Sequence, residues 1–148
     1  DFWDVGPQAS TGIFIKPWYY NNPKNTAAEK KMTEEFTKKY NQPPSDKTWS
    51  GWTAMRALLA SIEAAKSTDS AAIVTALEKW RNTDGEFPYY FREWDHQLVK
   101  PAVIVKVKDT ITDKWDFMDF LKYTSDSAAD TEKAFGTKEE VGCNMPAL

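Results

Sequence analysis

The sequence predicts an α/β fold, rich in helix and with few strands of its own, and three observations carry that reading. Between residues 25 and 85, apolar residues recur at three- and four-residue spacing in three successive segments, the period of amphipathic helices. Short β-branched or alternating runs flank this block, at residues 12–17 before it and 86–108 after it. The helical segments are separated by strong breakers, Gln42-Pro43-Pro44 and Ser67-Thr68-Asp69-Ser70, rather than by long loops.

The elements follow in order. Residues 12–17 read as a short strand closed by Pro17, which has no N–H to give a ladder. Trp18-Tyr19-Tyr20-Asn21-Asn22-Pro23 reads as a turn-rich loop with three exposed rings. A helix over residues 25–41 carries Ala28, Met32, Phe36 and Tyr40 as one apolar stripe, with Glu34/Lys38 and Glu35/Lys39 as solvated pairs opposite. Ser45-Asp46 offers the cap of a second helix over residues 48–66, whose expected core stripe is Trp52, Met55, Leu59 and Ile62. Ala54, Ala57, Ala60 and Ala64 on nearby faces allow close packing. A third helix places Ile73, Ala76, Leu77 and Trp80 on one side and stops at Asn82-Thr83-Asp84-Gly85.

From Glu86 the period becomes two. Residues 87–91 read as a strand interrupted by Pro88, Asp95-His96-Gln97 as a turn, and residues 102–108 as a half-buried strand with Val103, Val105 and Val107 inward. Residues 115–123 suit helix or extended chain equally, and residues 127–135 a short helix. So few strands cannot cover three helices, so partner strands are expected upstream in a longer polypeptide. The start, Asp1-Phe2-Trp3, lacks Met, a basic region and an apolar region, which agrees with a removed preceding segment.

Composition narrows function. A net charge of −3 provides no basic field, so nucleic-acid binding is not expected. No apolar run reaches the roughly 18 residues of a membrane span. Seven Trp, six Tyr and eight Phe are many for 148 residues and suit a site that grips small organic molecules as well as a core. Cys143, the one cysteine, is either a free thiol or half of a bridge to a segment outside this chain. One histidine, His96, without companions gives no metal-ligand spacing and no acid/base constellation. No phosphate loop, nucleophile elbow or CxxC is present, so neither cofactor nor metal nor enzymatic activity is expected.

The ordered series of motifs resembles a known family. Phe36-Thr37-Lys38-Lys39-Tyr40, a Pro-rich turn, then Trp49-Ser50-Gly51-Trp52-Thr53-Ala54-Met55-Arg56-Ala57-Leu58, Ile62-Glu63-Ala64-Ala65, Ile73-Val74-Thr75-Ala76-Leu77 and Phe91-Arg92-Glu93-Trp94-Asp95-His96-Gln97 together resemble the C-terminal part of periplasmic branched-chain amino-acid (Leu/Ile/Val)-type substrate-binding proteins of ABC transporters. The match runs over residues 12–108 and fades beyond Asp109; Trp52 stands where the family usually has Tyr. The resemblance implies a fragment of the type I periplasmic-binding fold, with two flavodoxin-like lobes joined by crossing strands. On that template residues 1–24 form a crossing strand and hinge loop, and 25–85 three helices on the first lobe. Residues 86–108 are strands returning to the second lobe, and 109–148 a C-terminal tail.

Five candidate ligand-binding residues follow. Trp49, with Lys47 and Thr48 before it, stands at a helix start where the family places an apolar cleft residue and where free N–H groups favour an anion; Trp49 packing the hinge is the competing reading. Lys47 departs from the apolar character usual there and suits an acidic ligand or plain solvation. Trp18 and Tyr19, after the crossing strand, either rim the cleft or pack against the neighbouring lobe. The expected function is capture of a small amino acid or an aromatic or aliphatic carboxylate in an interlobe cleft, outside the cytoplasm, for an ABC permease. The expected partners are that permease, the missing N-terminal part of the same protein and, to satisfy open edges, a strand-swapped second copy. A ligand-sensing regulator of the same fold and an aromatic-rich carbohydrate-binding module are the alternatives.

Overall fold

The chain was studied as a computed structural model, which describes residues 2–5 and 11–144. Among the described residues six helices and six strands follow in the order α1 (Phe2–Val5), β1 (Ile13–Lys16), α2 (Ala27–Tyr40), α3 (Asp46–Ala65), α4 (Ser70–Lys79), β2 (Arg81–Asn82), β3 (Tyr89–Phe91), β4 (Leu98–Val99), β5 (Val103–Val107), β6 (Met118–Tyr123), α5 (Ala128–Ala134) and α6 (Lys138–Val141). They form two compact units. The first comprises residues 1–49 and 102–124, the second residues 50–101 and 125–148, so the division falls within α3, after Trp49.

The first unit is built on an antiparallel sheet of order β1-β5-β6. Val103, Val105 and Val107 alternate inward along β5 and are buried, which is what their period-two spacing requires of a strand with one covered face. Each buried valine contributes roughly 1.5–3 kcal/mol of transfer free energy. With Tyr19, Phe117 and Met118 they form the core, against which Phe14, Phe120 and Tyr123 pack. Residues 115–123, ambiguous in sequence, are extended from Met118 onward, and a register shift between Ile104 and Val105 marks a bulge in β5–β6.

The loop after β1 is held by its own asparagines. Asn25 donates from Nδ2 to the carbonyls of Tyr19 and Tyr20 at 3.0 and 2.9 Å, and its backbone N–H reaches the Asn22 carbonyl at 3.0 Å. That fixes the chain as it turns into α2. Thr26 then caps α2 reciprocally: its Oγ1 accepts from Glu29 N at 3.1 Å while Thr26 N donates to Glu29 Oε2 at 2.8 Å. α2 ends at Asn41, whose left-handed φ of 53° is one that Asn tolerates. The expected stripe is covered only in part. Met32 is buried, whereas Tyr40 is 53% exposed and rests on Phe36.

In the second unit α3 departs from the sequence expectation. The side chains buried after Trp49 are Thr53, Ala57 and Ser61, whereas Met55 and Leu59 are more than half exposed. Trp52 is half-buried, with the Arg56 guanidinium 4.6 Å from its ring centroid. Ala60, Ser61 and Ala64 of α3 and Ala72, Thr75 and Ala76 of α4 line a shared recess.

α4 is capped by Asp69, which accepts from Ala72 N at 3.1 Å, as the Ser67-Thr68-Asp69-Ser70 run predicts. Trp80 then lies against Tyr89 and Phe91 of the small sheet β2-β3-β4, with centroids 5.8 and 5.9 Å away. The Asp95-His96-Gln97 turn forms where expected, with His96 at φ 56°. It is organised by Arg92, which is buried. Arg92 makes a bidentate pair with Asp95, donates to the Gly136 carbonyl at 2.8 Å and lies 4.1 Å from the Trp94 ring centroid. α5, anticipated over residues 127–135, starts at Ala128 with Ser127 as its cap. Cys143 is a free, half-buried thiol, its Sγ 3.4 Å from the Trp94 carbonyl.

Candidate functional site

The first unit contains a cavity of about 370 Å³, a size suited to a small organic molecule. Three stretches of chain build it. β1 delivers Lys16, and Pro17 ends that strand and turns Trp18, Tyr19 and Tyr20 toward the space. Pro43 and Pro44, both buried, stop the chain after α2. Ser45 then caps α3, with Thr48 N donating to its Oγ at 3.3 Å, which sets Asp46 and Lys47 in the helix's first turn at the cavity wall. Phe117 and Met118, at the start of β6, close the floor.

The rings are not exposed, as the loop composition had suggested. Trp18 is 1% and Tyr19 5% exposed. Tyr19 donates its hydroxyl to the Met118 carbonyl at 2.9 Å and to Asp116 Oδ1 at 3.2 Å, and Tyr20 donates to the Trp115 carbonyl at 2.9 Å. Burial pushes both phenols well above the ordinary tyrosine range. The charge each faces adds to this: for Tyr19 its neighbour Tyr20 and Asp116, for Tyr20 Asp116 and Asp113. Both rings are therefore neutral at physiological pH. Asp116 is the hub beneath them. Burial alone would raise its carboxyl, but the Lys108 ammonium and the Asn21 amide, each donating at 2.8 Å, hold it below the usual carboxylate range.

Among the described residues, the charged groups in the cavity wall are two lysines and one carboxylate. Lys16 Nζ lies 3.7 Å from Asp46 Oδ2, both side chains about one-fifth exposed. Lys47 is exposed and forms no ion pair among the described residues. Trp18 keeps a buried indole N–H without an acceptor among the described residues.

Of the five residues expected to bind ligand, Lys47, Trp18 and Tyr19 line this cavity together. Trp49 stands behind it: 2% exposed, it stacks on Trp18 at 6.1 Å with planes 12° apart, and its Nε1 donates to Glu29 Oε1 at 2.8 Å. It packs against the cavity wall and does not line the space itself. Thr48 lies outside the cavity, its Oγ1 3.3 Å from Ser45 Oγ, and lines a separate recess with Phe36, Gln42 and Trp115. Sequence reasoning missed Lys16, Tyr20, Ser45, Asp46, Phe117 and Met118. Ser45-Asp46 was visible as a cap, which fixes where the helix wall starts. Phe117 and Met118 gave no signal, because they belong to a segment whose periodicity was ambiguous. Among the described residues no group of three or more His, Cys, Asp or Glu could hold a metal ion, and no helix is long and apolar enough to cross a membrane.

The fold is shared with solute-binding components of ABC transporters. The amino acid ABC transporter substrate-binding protein from Pseudomonas fluorescens Pf-5 is similar over 97% of this chain and 37% of its own, with a TM-score of 0.79 and 19% identity. A branched-chain amino acid ABC transporter periplasmic ligand-binding protein from Burkholderia xenovorans LB400 matches over 95% of this chain and 36% of its own, at a TM-score of 0.76 and 21% identity. An ABC-type branched-chain amino acid transporter protein from Rhodopseudomonas palustris CGA009 gives a TM-score of 0.70 at 23% identity over 95% of this chain and 34% of its own. These likenesses define a type I periplasmic-binding fold, of which the chain spans about a third of the length of its structural relatives. No curated protein sequence matches the chain. The periplasmic binding protein family model matches residues 1–112, and the chain belongs to that family.

Proposed function

We propose that this chain forms one part of an extracytoplasmic solute-binding protein that captures a small amino acid or an aromatic or aliphatic carboxylate and delivers it to an ABC permease. The observation that carries the proposal is the cavity at the start of α3, walled by Trp18, Tyr19 and Tyr20 and bordered by Lys16 and Lys47. Aromatic walls with a few polar groups at one end are what a small organic solute needs: area to bury, and charge to orient it. The wall is fixed beforehand, since both tyrosine hydroxyls are engaged by backbone carbonyls and Trp18 is stacked on Trp49. Pre-organisation of this kind reduces the entropy lost on binding.

In this reading the rest of the ligand's contacts come from the remainder of a longer polypeptide, and ligand shifts a population between open and closed lobes that the permease distinguishes. The protein acts by binding, not by catalysis. Trp18 supplies the test. Titration of the complete binding protein with leucine, glutamate and benzoate, followed by tryptophan fluorescence, is expected to give a saturable change with at least one of them, much reduced in Trp18→Phe. A saturable change that Trp18→Phe leaves untouched would place the ligand elsewhere.

A further inference from the structure

The polar groups of the cavity differ in how far the protein has already used them. The phenol protons of Tyr19 and Tyr20 go to the carbonyls of Met118 and Trp115. Asp46, the one carboxylate in the wall among the described residues, faces Lys16 at 3.7 Å. What is left over among the described residues of the wall is the exposed Lys47 ammonium, a donor that forms no ion pair there. Among the described residues of the wall two lysines stand against one carboxylate, and the neutral phenols do not offset the difference. Lys47 sits in the first turn of a 20-residue helix, where the helix dipole adds to the positive potential.

We infer that the end of the solute lodged against Lys47 is a carboxylate, so that the preferred solute is an acidic one, such as a dicarboxylate or an amino acid with an acidic side chain. An amide or alkyl group at that end would leave the Lys47 charge unmatched, whereas a carboxylate accepts a charge-assisted hydrogen bond from its ammonium. This assignment rests on the cavity being the ligand site, as proposed above.

Isosteric pairs isolate the charge. Glutamate against glutamine, and terephthalate against 4-carbamoylbenzoate, keep one carboxylate constant and change only the other end. Calorimetric titration of the complete binding protein is expected to give the acid of at least one pair a Kd about tenfold or more below its amide, a gap that narrows with added salt. Lys47→Met, an exposed substitution, is expected to reduce the gap to threefold or less at unchanged thermal stability, and Lys47→Arg to keep most of it. Amides binding as tightly as acids, or a gap that survives in Lys47→Met, would overturn the inference while leaving the cavity as the ligand site. Binding of none of the four compounds would overturn both.

Discussion

Glu29 shows how much one side chain can tie together. One of its carboxylate oxygens closes the capping box of α2 through Thr26 N at 2.8 Å, and the other accepts from Trp49 Nε1 at 2.8 Å. Trp49 in turn backs Trp18, so the wall of the cavity is held in place by the cap of a helix that does not line it. Trp49→Phe keeps a ring of similar shape but removes a hydrogen bond to a buried charged acceptor. The expected loss is about 1.5–3 kcal/mol of stability, read as a lower urea midpoint at unchanged slope. A midpoint equal to wild type would mean that this bond contributes nothing and that Trp49 acts by packing alone. Sequence reading found Trp49 but could not choose between cleft and packing. Its hydrogen-bond partner, Glu29, lies twenty positions earlier, beyond the reach of a local pattern.

At the level of elements, β1, β5 and the starts of α3 and α4 were readable, because each rests on a local signal: Pro17, alternating valines, Ser45, Asp69. The face of α3 was not. Periodicity identifies two candidate stripes on such a helix and favours the bulkier one, but which is buried depends on what packs there. Here Thr53, Ala57 and Ser61 are covered, and Met55 and Leu59 are not. That burial has a cost, since Ser61 Oγ and Thr53 Oγ1 have no hydrogen-bond partner among the described residues. Ser61→Ala removes a buried hydroxyl without adding volume and is expected to stabilise the protein by about 1 kcal/mol. A loss of similar size in thermal or urea unfolding would reveal a partner for the hydroxyl. The turn after β3 makes the opposite case, with Arg92, Asp95 and Gln97 all hydrogen-bonded. Burial alone would raise the Asp95 carboxyl, but its hydrogen bonds from Arg92 and the Gln97 N–H hold it below the ordinary range. A depressed carboxylate stabilises the fold fully above its unfolded pKa, near 3.9, and progressively less as pH falls through its folded value. Asp95→Asn leaves Arg92, whose side chain is only 3% exposed, without its anion. The expected cost is about 3–5 kcal/mol at pH 7, with a shallower decline of stability below about pH 4 than in wild type. Parallel pH profiles in the two proteins would show that the pair does not govern acid sensitivity.

For the whole molecule, the family relationship and the fold were legible from a run of short motifs, Phe36 through Gln97, none of which is specific alone. Their order and spacing supplied what each lacked, and the family match over residues 1–112 bears the reading out. The cavity was half legible for a physical reason. Residues that end a strand or start a helix announce themselves through Pro17, Ser45 and Asp46, whereas Phe117 and Met118 reach the same space only because β6 pairs with β5. A chain spanning about a third of its relatives' length carries a correspondingly partial set of ligand contacts in the proposed account. The direct test is calorimetry with the 148-residue chain and with the complete binding protein side by side, titrated with the tightest of the acids above. The account predicts micromolar or tighter binding by the complete protein and at least a hundredfold weaker binding by the chain alone. Equal affinity in the two would contradict it, because the cavity would then be a whole site rather than one wall of a larger one.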